Sequence, residues 1–500
     1  MRSKIAFTNS FYAVVLQVII AAFGFITPRL IIGNYGSELN GLVSSISEIL
    51  KYFNLLEVGL SGAAVYELYK PLKDKDYEKI NKIVTFASKY YKKIGFIIVA
   101  GLLLLAPLYT LYIVNTSLSN LTVFSLFIIL GIAAAFEFLI MSRCRIILTA
   151  DQRGYIISIV MILSTLAQQI LMILMILSHA PIQIVYLVPL VMKIIRGVIL
   201  NYIVTKVYHN KVSFQSNFEG FTINTQKYVF IHEIFYTVNN ALPLVFINIY
   251  YNLNVASIYT VYNMPVVMIN LILSTLYQSI TASYGNLVVE NKVERENKVY
   301  ESFQFIYLWL SSWIIGVMAF LLSPFVLLYT ADVTNVDYNM PVMGYMLVIF
   351  SVANCIRVVF ALPNSAHGFF KETHKSPILN TLLSIGISFL GGYINPAFVL
   401  LGPIFGFVMN GLYQMMYLLR NSGLETTRAL KNILNLVIIV FISIKSTELI
   451  KPQLNSFAEF VIWGFSIFII IGIITSILFC LTNRKKVLDH FKYVKRMFGL

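Results

Sequence analysis

The chain has 500 residues, of which 58% are hydrophobic and only 12% charged, and its formal net charge is +15. Because soluble domains carry roughly 25% charged residues, this composition excludes an ordinary soluble protein and predicts that lipid covers much of its surface. Long unbroken apolar runs predict α-helices rather than the alternating strands of a membrane β-barrel. The predicted fold class is therefore an all-α polytopic membrane protein.

Apolar runs recur along the whole chain. A helix needs roughly 20 apolar residues to cross a hydrocarbon core of about 30 Å. By that measure the sequence predicts about 14 transmembrane helices, which we call spans 1 to 14. Their predicted ranges are 11–32, 42–66, 94–114, 121–140, 155–177, 182–204, 228–250, 255–284, 303–329, 340–360, 378–393, 397–419, 433–450 and 460–481.

Basic residues divide the loops into two classes. Most Lys and Arg residues lie at the termini or after even-numbered spans, whereas the opposite side of the predicted membrane has only Lys445 and Lys451. The positive-inside bias therefore predicts that the even loops and both termini are cytoplasmic. Since topology explains the positive charge, we expect no nucleic-acid partner.

Similar landmarks at spans 2 and 8 suggest an internal repeat. Small and hydroxyl residues occur at 61–66 and again at 279–284, and a charged stretch follows each. Six helices per repeat predict parallel halves, although chance similarity between apolar segments is the alternative. The predicted domains are an N-terminal lobe (1–210), a C-terminal lobe (211–425), two additional helices (426–483) and a basic cytoplasmic tail (484–500).

Some basic residues lie inside the spans, where a charge costs roughly 2.5–3.5 kcal/mol at a helix centre. They are Arg29, Lys51, Lys193, Arg196 and Arg357. Lys193 and Arg196 share one face of span 6, so either acids on neighbouring helices compensate them or an anion binds there. Arg357 has no acidic residue close to it in span 10. We expect these three cations to line a cavity.

Arg29 and Lys51 each leave two interpretations open. Arg29 follows Pro28 near the outer end of span 1, from where it can extend to the membrane interface. Lys51 lies three residues after Glu48, so the two side chains can neutralise each other on one helix face. The other interpretation gives both cations a role in substrate binding.

A second set of polar residues is a candidate for ion coupling or cavity lining. Its members are Glu57, His232, Glu233, Asn239 and Asn240. The two carboxylates are candidate protonation or cation sites, and the histidine is a candidate proton acceptor. Pro243 interrupts span 7, and polar groups beside a proline are typical of helices that line a water-filled path. Interhelical hydrogen bonding is the alternative.

Motifs for enzymatic chemistry are missing from the sequence. It contains neither a GxxxxGK[ST] loop nor an HExxH motif, so ATP is not the expected energy source. The largest predicted outer loop, 330–339, offers only Asp332 and Asp337 as acidic residues. We therefore predict a protein that is not an enzyme and needs no cofactor. A polymerase of lipid-linked repeats is disfavoured for the same reason.

Residues of spans 1 and 2 resemble a known family. Span 1 carries Gly24 and Pro28-Arg29-Leu30, the sequence GNYGSELNGL follows at 33–42, and span 2 carries LLEVGL at 55–60. Together with LYKPL at 68–72 and the 14-helix plan, these features resemble the polysaccharide-export, O-antigen (Wzx-type) flippases. That family belongs to the multidrug/oligosaccharidyl-lipid/polysaccharide exporter (MOP) superfamily.

The resemblance implies a transporter of the bacterial cytoplasmic membrane. Its expected substrate is an undecaprenyl-pyrophosphate-linked oligosaccharide, moved to the outer leaflet by alternating access between two six-helix lobes around a cationic cavity. A proton or sodium gradient is the expected driving force, and polysaccharide assembly proteins and membrane lipid are expected partners. Arg29 matches a basic position of the related lipid II flippases, and Lys51 lies about a turn from a second. The basic residue common in span 8 of those proteins is missing here.

Two other transporter classes stay open. A multidrug or organic-cation antiporter of the same superfamily favours acidic cavity residues, whereas basic residues slightly outnumber acidic ones inside these spans. A lipid II or sporulation-type flippase differs only in the headgroup that it carries.

Overall fold

The regular structure of this chain is helical wherever the computed structural model describes it. The described residues are 2–57, 60–112, 116–209, 211–214, 227–289, 293–450, 454 and 456–483. The α-helices are α1 (Arg2–Tyr35), α2 (Ser37–Lys51), α3 (Leu60–Asp74), α4 (Tyr77–Tyr112), α5 (Asn120–Phe136), α6 (Ser142–Ala150), α7 (Gly154–Leu177), α8 (Ile182–Val207), α9 (Lys227–Tyr250), α10 (Leu253–Val289), α11 (Val293–Tyr329), α12 (Pro341–Ala366), α13 (Phe370–Thr373), α14 (Lys375–Ile394), α15 (Leu401–Asn421), α16 (Thr427–Ile450) and α17 (Phe457–Thr482).

Within these ranges, 13 helices are long and apolar enough to cross a membrane, which confirms the all-α polytopic fold. They correspond to every predicted span except span 2. In place of one helix over 42–66, the structure has α2, a 3-10 stretch at Tyr52–Glu57, and α3. Each of the two α-helices has 15 residues, or about 22 Å, which is too short to cross the core alone. Asn54, Gly59 and Gly62 in this stretch are poor helix formers.

Two spanning helices begin well before their predicted apolar segments. α4 has 36 residues and α11 has 37, so each is about 55 Å long and exceeds a hydrocarbon core of about 30 Å. The charged stretches before spans 3 and 9 are therefore partly the first turns of these helices. In contrast, α5 passes through a π-helical segment, Glu137–Met141, before it continues as α6.

The chain folds into two compact units. Unit 1 comprises Met1–Thr237 and Tyr251–Ser257, and unit 2 comprises Val238–Tyr250 and Ile258–Leu500. The division thus falls within α9 and α10, later in the chain than the predicted boundary at residue 210. That boundary stays a prediction, and the predicted basic tail lies outside the described residues.

Polar contacts join α1 to α7 in unit 1. Thr27 donates a hydrogen bond from its hydroxyl to Gln169 Oε1 at 2.7 Å. Near the start of both helices, the side chain of Asn9 donates to the carbonyl of Gln152 and accepts from the backbone N–H of Tyr155. Both ends of the Asn9 amide are therefore satisfied.

Small residues bring α14 and α15 of unit 2 into close contact. A Cβ atom added to Gly402 would collide with Ser384 and Ser388. One turn later, a Cβ on Gly406 would collide with the Ser384 hydroxyl. This pattern of small residues four apart lets membrane helices approach closely enough for extensive van der Waals contact.

We predict that Gly402→Ala destabilises the protein by about 1–3 kcal/mol, because the new methyl group overpacks this helix contact. The matched control is Gly386→Ala on α14, where a Cβ meets no atom within 4 Å. Thermal unfolding of both variants in detergent gives the comparison. A Gly402→Ala midpoint equal to that of the control would contradict this account of the packing.

Candidate functional site

In unit 1, two basic side chains lie close to one carboxylate, and a third basic residue lies one helical turn from one of them. Lys193 Nζ on α8 lies 3.3 Å from Glu137 Oε2. Arg145 on α6 approaches the other oxygen, Glu137 Oε1, at 3.7 Å. Arg196 lies one turn after Lys193 on α8 and is only 7% exposed. We call these four residues the unit 1 cationic cluster; together they carry more positive than negative charge.

Arg196 is held by hydroxyl groups of α7. Its Nε donates to Ser164 Oγ at 2.8 Å, and one terminal nitrogen lies 3.5 Å from Thr165 Oγ1. Hydroxyl oxygens satisfy guanidinium donors but do not neutralise the charge. The sequence left two interpretations of the span 6 cations open, which were compensation by a neighbouring acid and binding of an anion. The first applies to Lys193, because it pairs with Glu137. The Arg196 guanidinium makes its described hydrogen bonds to neutral groups.

The local helix geometry explains how the cluster forms. Glu137 is the first residue of the π-helical segment, a type of distortion that often occurs at functional sites. At Gly197, next to Arg196, α8 packs against this segment so closely that an added Cβ would lie 2.5 Å from Ile140 Cγ2. The glycine therefore allows α8 to bring its two cations next to the distorted helix.

Unit 2 holds Arg357 in a different environment. Its Nε and a terminal nitrogen donate to Asn354 Oδ1 at 3.3 and 3.0 Å. The guanidinium carbon lies 5.4 Å from the centre of the Phe407 ring, a favourable cation–π distance. Asn354 in turn donates to Asn270 Oδ1 on α10 at 3.4 Å. The Arg357 head group is thus fixed in orientation by α12, α15 and α10.

Arg29 and Lys51 lie on other helices of unit 1. Arg29 is half-buried on α1, directly after Pro28. Lys51 is at the end of α2, where its amine lies 2.7 Å from Glu48 Oε2 and its side chain is 59% exposed. The structure therefore has the ion pair that the pairing interpretation of Lys51 predicts.

The candidate ion-coupling residues have different environments. Asn239 is buried, and its amide donates to the hydroxyl of Thr381, which matches the interhelical hydrogen bond that was the alternative. His232 and Asn240 are half-buried, and Glu233 is exposed. Glu57 ends the 3-10 stretch, and its side chain lies outside the described part of the structure. Their proposed coupling role stays a prediction.

A buried carboxylate in unit 2 was missed by the sequence analysis. Glu296 on α11 is 4% exposed. Its Oε1 accepts a hydrogen bond from the Tyr284 hydroxyl at 2.9 Å and lies 2.8 Å from His367 Nε2. We call these three residues the Glu296 cluster. Glu296 occurs in a charged stretch that resembles a solvated connector, and its partners come from other parts of the chain.

Further along α11, buried polar residues occupy the same face as Glu296. Tyr300 and Gln304 are fully buried. Within the described part of the chain, neither the Tyr300 hydroxyl nor either polar atom of the Gln304 amide has a hydrogen-bond partner. His, Cys, Asp and Glu side chains do not form a group of three or more that is placed to hold a metal ion in these ranges.

Solved transporter structures share this fold. The inward closed conformation of the lipid II flippase MurJ has a TM-score of 0.68 and 15% identity, covering 95% of this chain and 99% of that one. An inward-facing multidrug resistance MATE family transporter of the MOP superfamily has a TM-score of 0.65 and 12% identity, covering 83% and 99%. An outward-facing multidrug resistance MATE family transporter has a TM-score of 0.56 and 13% identity, covering 85% of this chain and 97% of that one. No protein-family model and no curated protein sequence matches the chain.

We predict that Glu296→Ala lowers stability by about 1–3 kcal/mol, because the buried Tyr284 hydroxyl loses its acceptor. Glu294→Ala, two residues earlier, is the matched control: Glu294 is 86% exposed and pairs with Lys298 on the same helix. Exposed pairs of this kind contribute little. The apparent unfolding midpoint in detergent is the measurement, and equal midpoints for the two variants would refute the structural role of Glu296.

Proposed function

We propose that this protein is a Wzx-type flippase of the bacterial cytoplasmic membrane. It moves an undecaprenyl-pyrophosphate-linked oligosaccharide from the inner to the outer leaflet by alternating access, for surface polysaccharide biosynthesis. Both termini face the cytoplasm in this proposal. The observation that carries it is the excess of positive charge in the unit 1 cationic cluster, two of whose cations, Lys193 and Arg196, lie in the apolar helix α8.

The chemistry of this cluster suits a pyrophosphate. Burying cations in a membrane is costly, so such residues usually serve a substrate or an ion. The planar guanidinium of Arg196 can donate two parallel hydrogen bonds to phosphate oxygens, and Lys193 adds a compact charge. An arriving pyrophosphate would take Lys193 from Glu137, replacing one ion pair with another. This exchange limits the desolvation cost of binding.

Other residues of the chain also support an anionic, lipid-linked substrate. Arg357 offers a further oriented guanidinium in unit 2. An apolar groove of about 160 Å³ lies between α11, α16 and α17, with Phe320, Ile439 and Ile471 among its lining residues. The mostly apolar lining of this groove suits a polyprenyl chain, because such a chain has no polar groups to hydrogen-bond. Arg29 and Lys51 remain proposed substrate-binding residues.

The alternatives differ in the charge and sugars of the substrate. A multidrug antiporter that carries organic cations would be opposed by the positive charge of the unit 1 cationic cluster. A lipid II-type flippase would use the same pyrophosphate chemistry, so the sugar composition separates it from our proposal. A proton or sodium gradient is the proposed driving force, with Glu57, His232, Glu233, Asn239 and Asn240 as candidate coupling residues.

Depletion of the protein is expected to cause a polyprenyl-pyrophosphate-linked oligosaccharide to accumulate on the cytoplasmic leaflet. Mass spectrometry of extracted lipids identifies the saccharide, and an added membrane-impermeant glycosidase reports the leaflet. Accumulation of lipid II would favour the lipid II-type alternative. Raised retention of ethidium without any lipid-linked intermediate would overturn the proposal in favour of a cation antiporter.

We further predict that Arg196→Gln raises the Kd for undecaprenyl pyrophosphate about tenfold or more. Hydrogen bonds to charged groups contribute roughly 1.5–3 kcal/mol, and 1.4 kcal/mol corresponds to a factor of about ten. Lys206→Gln, which removes a charge from the last turn of the same helix, is the matched control. Arg196→Lys is expected to recover part of the affinity.

The measurement is binding to the purified, monodisperse protein in detergent. Wild-type affinity of Arg196→Gln, or equal losses in Arg196→Gln and Lys206→Gln, would remove Arg196 from the proposed binding site.

A further inference from the structure

The outward face of α4 changes from basic to apolar within three turns. Lys89, Lys92 and Lys93 are exposed, and Phe96 and Ile97 follow them at 68% and 45% exposure. These residues and Ala100 line a shallow recess that is largely open to its surroundings. Their spacing of three and four places them on one helix face.

The opposite face of α4 fixes this orientation. Tyr91, Ile94, Ile98 and Leu102 are all at most 3% exposed and belong to the apolar core of unit 1. Because the core determines how the helix is rotated, the stripe from Lys89 to Ala100 points away from unit 1. The aromatic and aliphatic members of the stripe are therefore available to lipid chains.

The position of the lysines along α4 corresponds to the membrane surface. From Ile94 to the end of the helix at Tyr112 the sequence has no charged residue, and this stretch is about 28 Å long. That length matches a hydrocarbon core of about 30 Å. Lys93 is therefore the last charge before the hydrocarbon, and Lys89 and Lys92 lie at the level of lipid headgroups.

We propose that this recess binds an anionic membrane phospholipid. The lysine ammonium groups surround its phosphate, and an acyl chain lies along Phe96, Ile97 and Ala100. Charge complementarity carries the choice of occupant, because Lys89, Lys92 and Lys93 place three positive charges at the headgroup end of an apolar recess. A zwitterionic lipid brings its own cation to the phosphate and gains less from the lysines than an anionic lipid does.

This site is independent of the proposed transport function. Snorkelling of lysines to the interface explains why each one is tolerated. Snorkelling alone does not require the three ammonium groups to lie above one apolar recess. The proposal therefore makes a local prediction, distinct from a general attraction of the basic cytoplasmic side to anionic membranes.

The test places a fluorescent reporter in the recess. In a variant whose three tryptophans are replaced by tyrosine, Phe96→Trp provides the only indole. The full chain is reconstituted into phosphatidylcholine vesicles that contain brominated phosphatidylglycerol or, for comparison, brominated phosphatidylcholine. Quenching gives the relative affinity of the recess for the two lipids. We expect phosphatidylglycerol to bind at least threefold more strongly.

The triple variant Lys89→Gln, Lys92→Gln, Lys93→Gln is expected to reduce this ratio to about one. The control triple variant Lys75→Gln, Lys79→Gln, Lys82→Gln removes the same charge from the turn before α4 and from its first two turns, and is expected to retain the preference. A ratio near one in the parent protein would overturn the proposal. Equal losses in both triple variants would also overturn it, because they would indicate diffuse attraction rather than a site.

A second measurement avoids the tryptophan replacements. Native mass spectrometry of the otherwise unchanged protein counts phosphatidylglycerol molecules that survive delipidation. The loss of one bound lipid in the first triple variant, but not in the control, is expected. Identical lipid counts for wild type and both variants would contradict the site.

Discussion

Charges inside the spanning helices must find their partners within the protein, because lipid offers none, and this constraint shapes both units. Lys193 has the carboxylate of Glu137, and Arg196 has two hydroxyl groups of α7. Arg357 uses an asparagine and an aromatic ring. The described hydrogen bonds of Arg196 and Arg357 therefore go to neutral oxygen atoms, whereas Lys193 pairs with an acid.

The helices of this fold were largely predictable from the sequence, because the apolar length that a membrane requires is a local property. Span 2 is the exception. Its average hydropathy predicts one helix, but the 3-10 stretch at Tyr52–Glu57 interrupts it. Hydropathy averaged over a window does not register such a break, because it measures transfer to lipid and not backbone preference.

The candidate site was predictable only in part. Cations in apolar helices are conspicuous in a sequence, so Lys193, Arg196 and Arg357 were found directly. Their partners were not, since the pairing of Lys193 with Glu137 depends on a π-helical segment and on the close approach of α8 at Gly197. Glu296 was missed for the opposite reason. It is buried by Tyr284 and His367, although its neighbours in sequence are charged.

The unbroken length of α11 has a mechanical consequence. This helix has 37 residues, or about 55 Å, with the Glu296 cluster near its first turn and the apolar groove towards its far end. Over that length, a tilt of about 5° at one end of a straight helix corresponds to a displacement of roughly 5 Å at the other. The Glu296 cluster therefore holds the first turn of a helix that also forms one wall of the apolar groove several turns away.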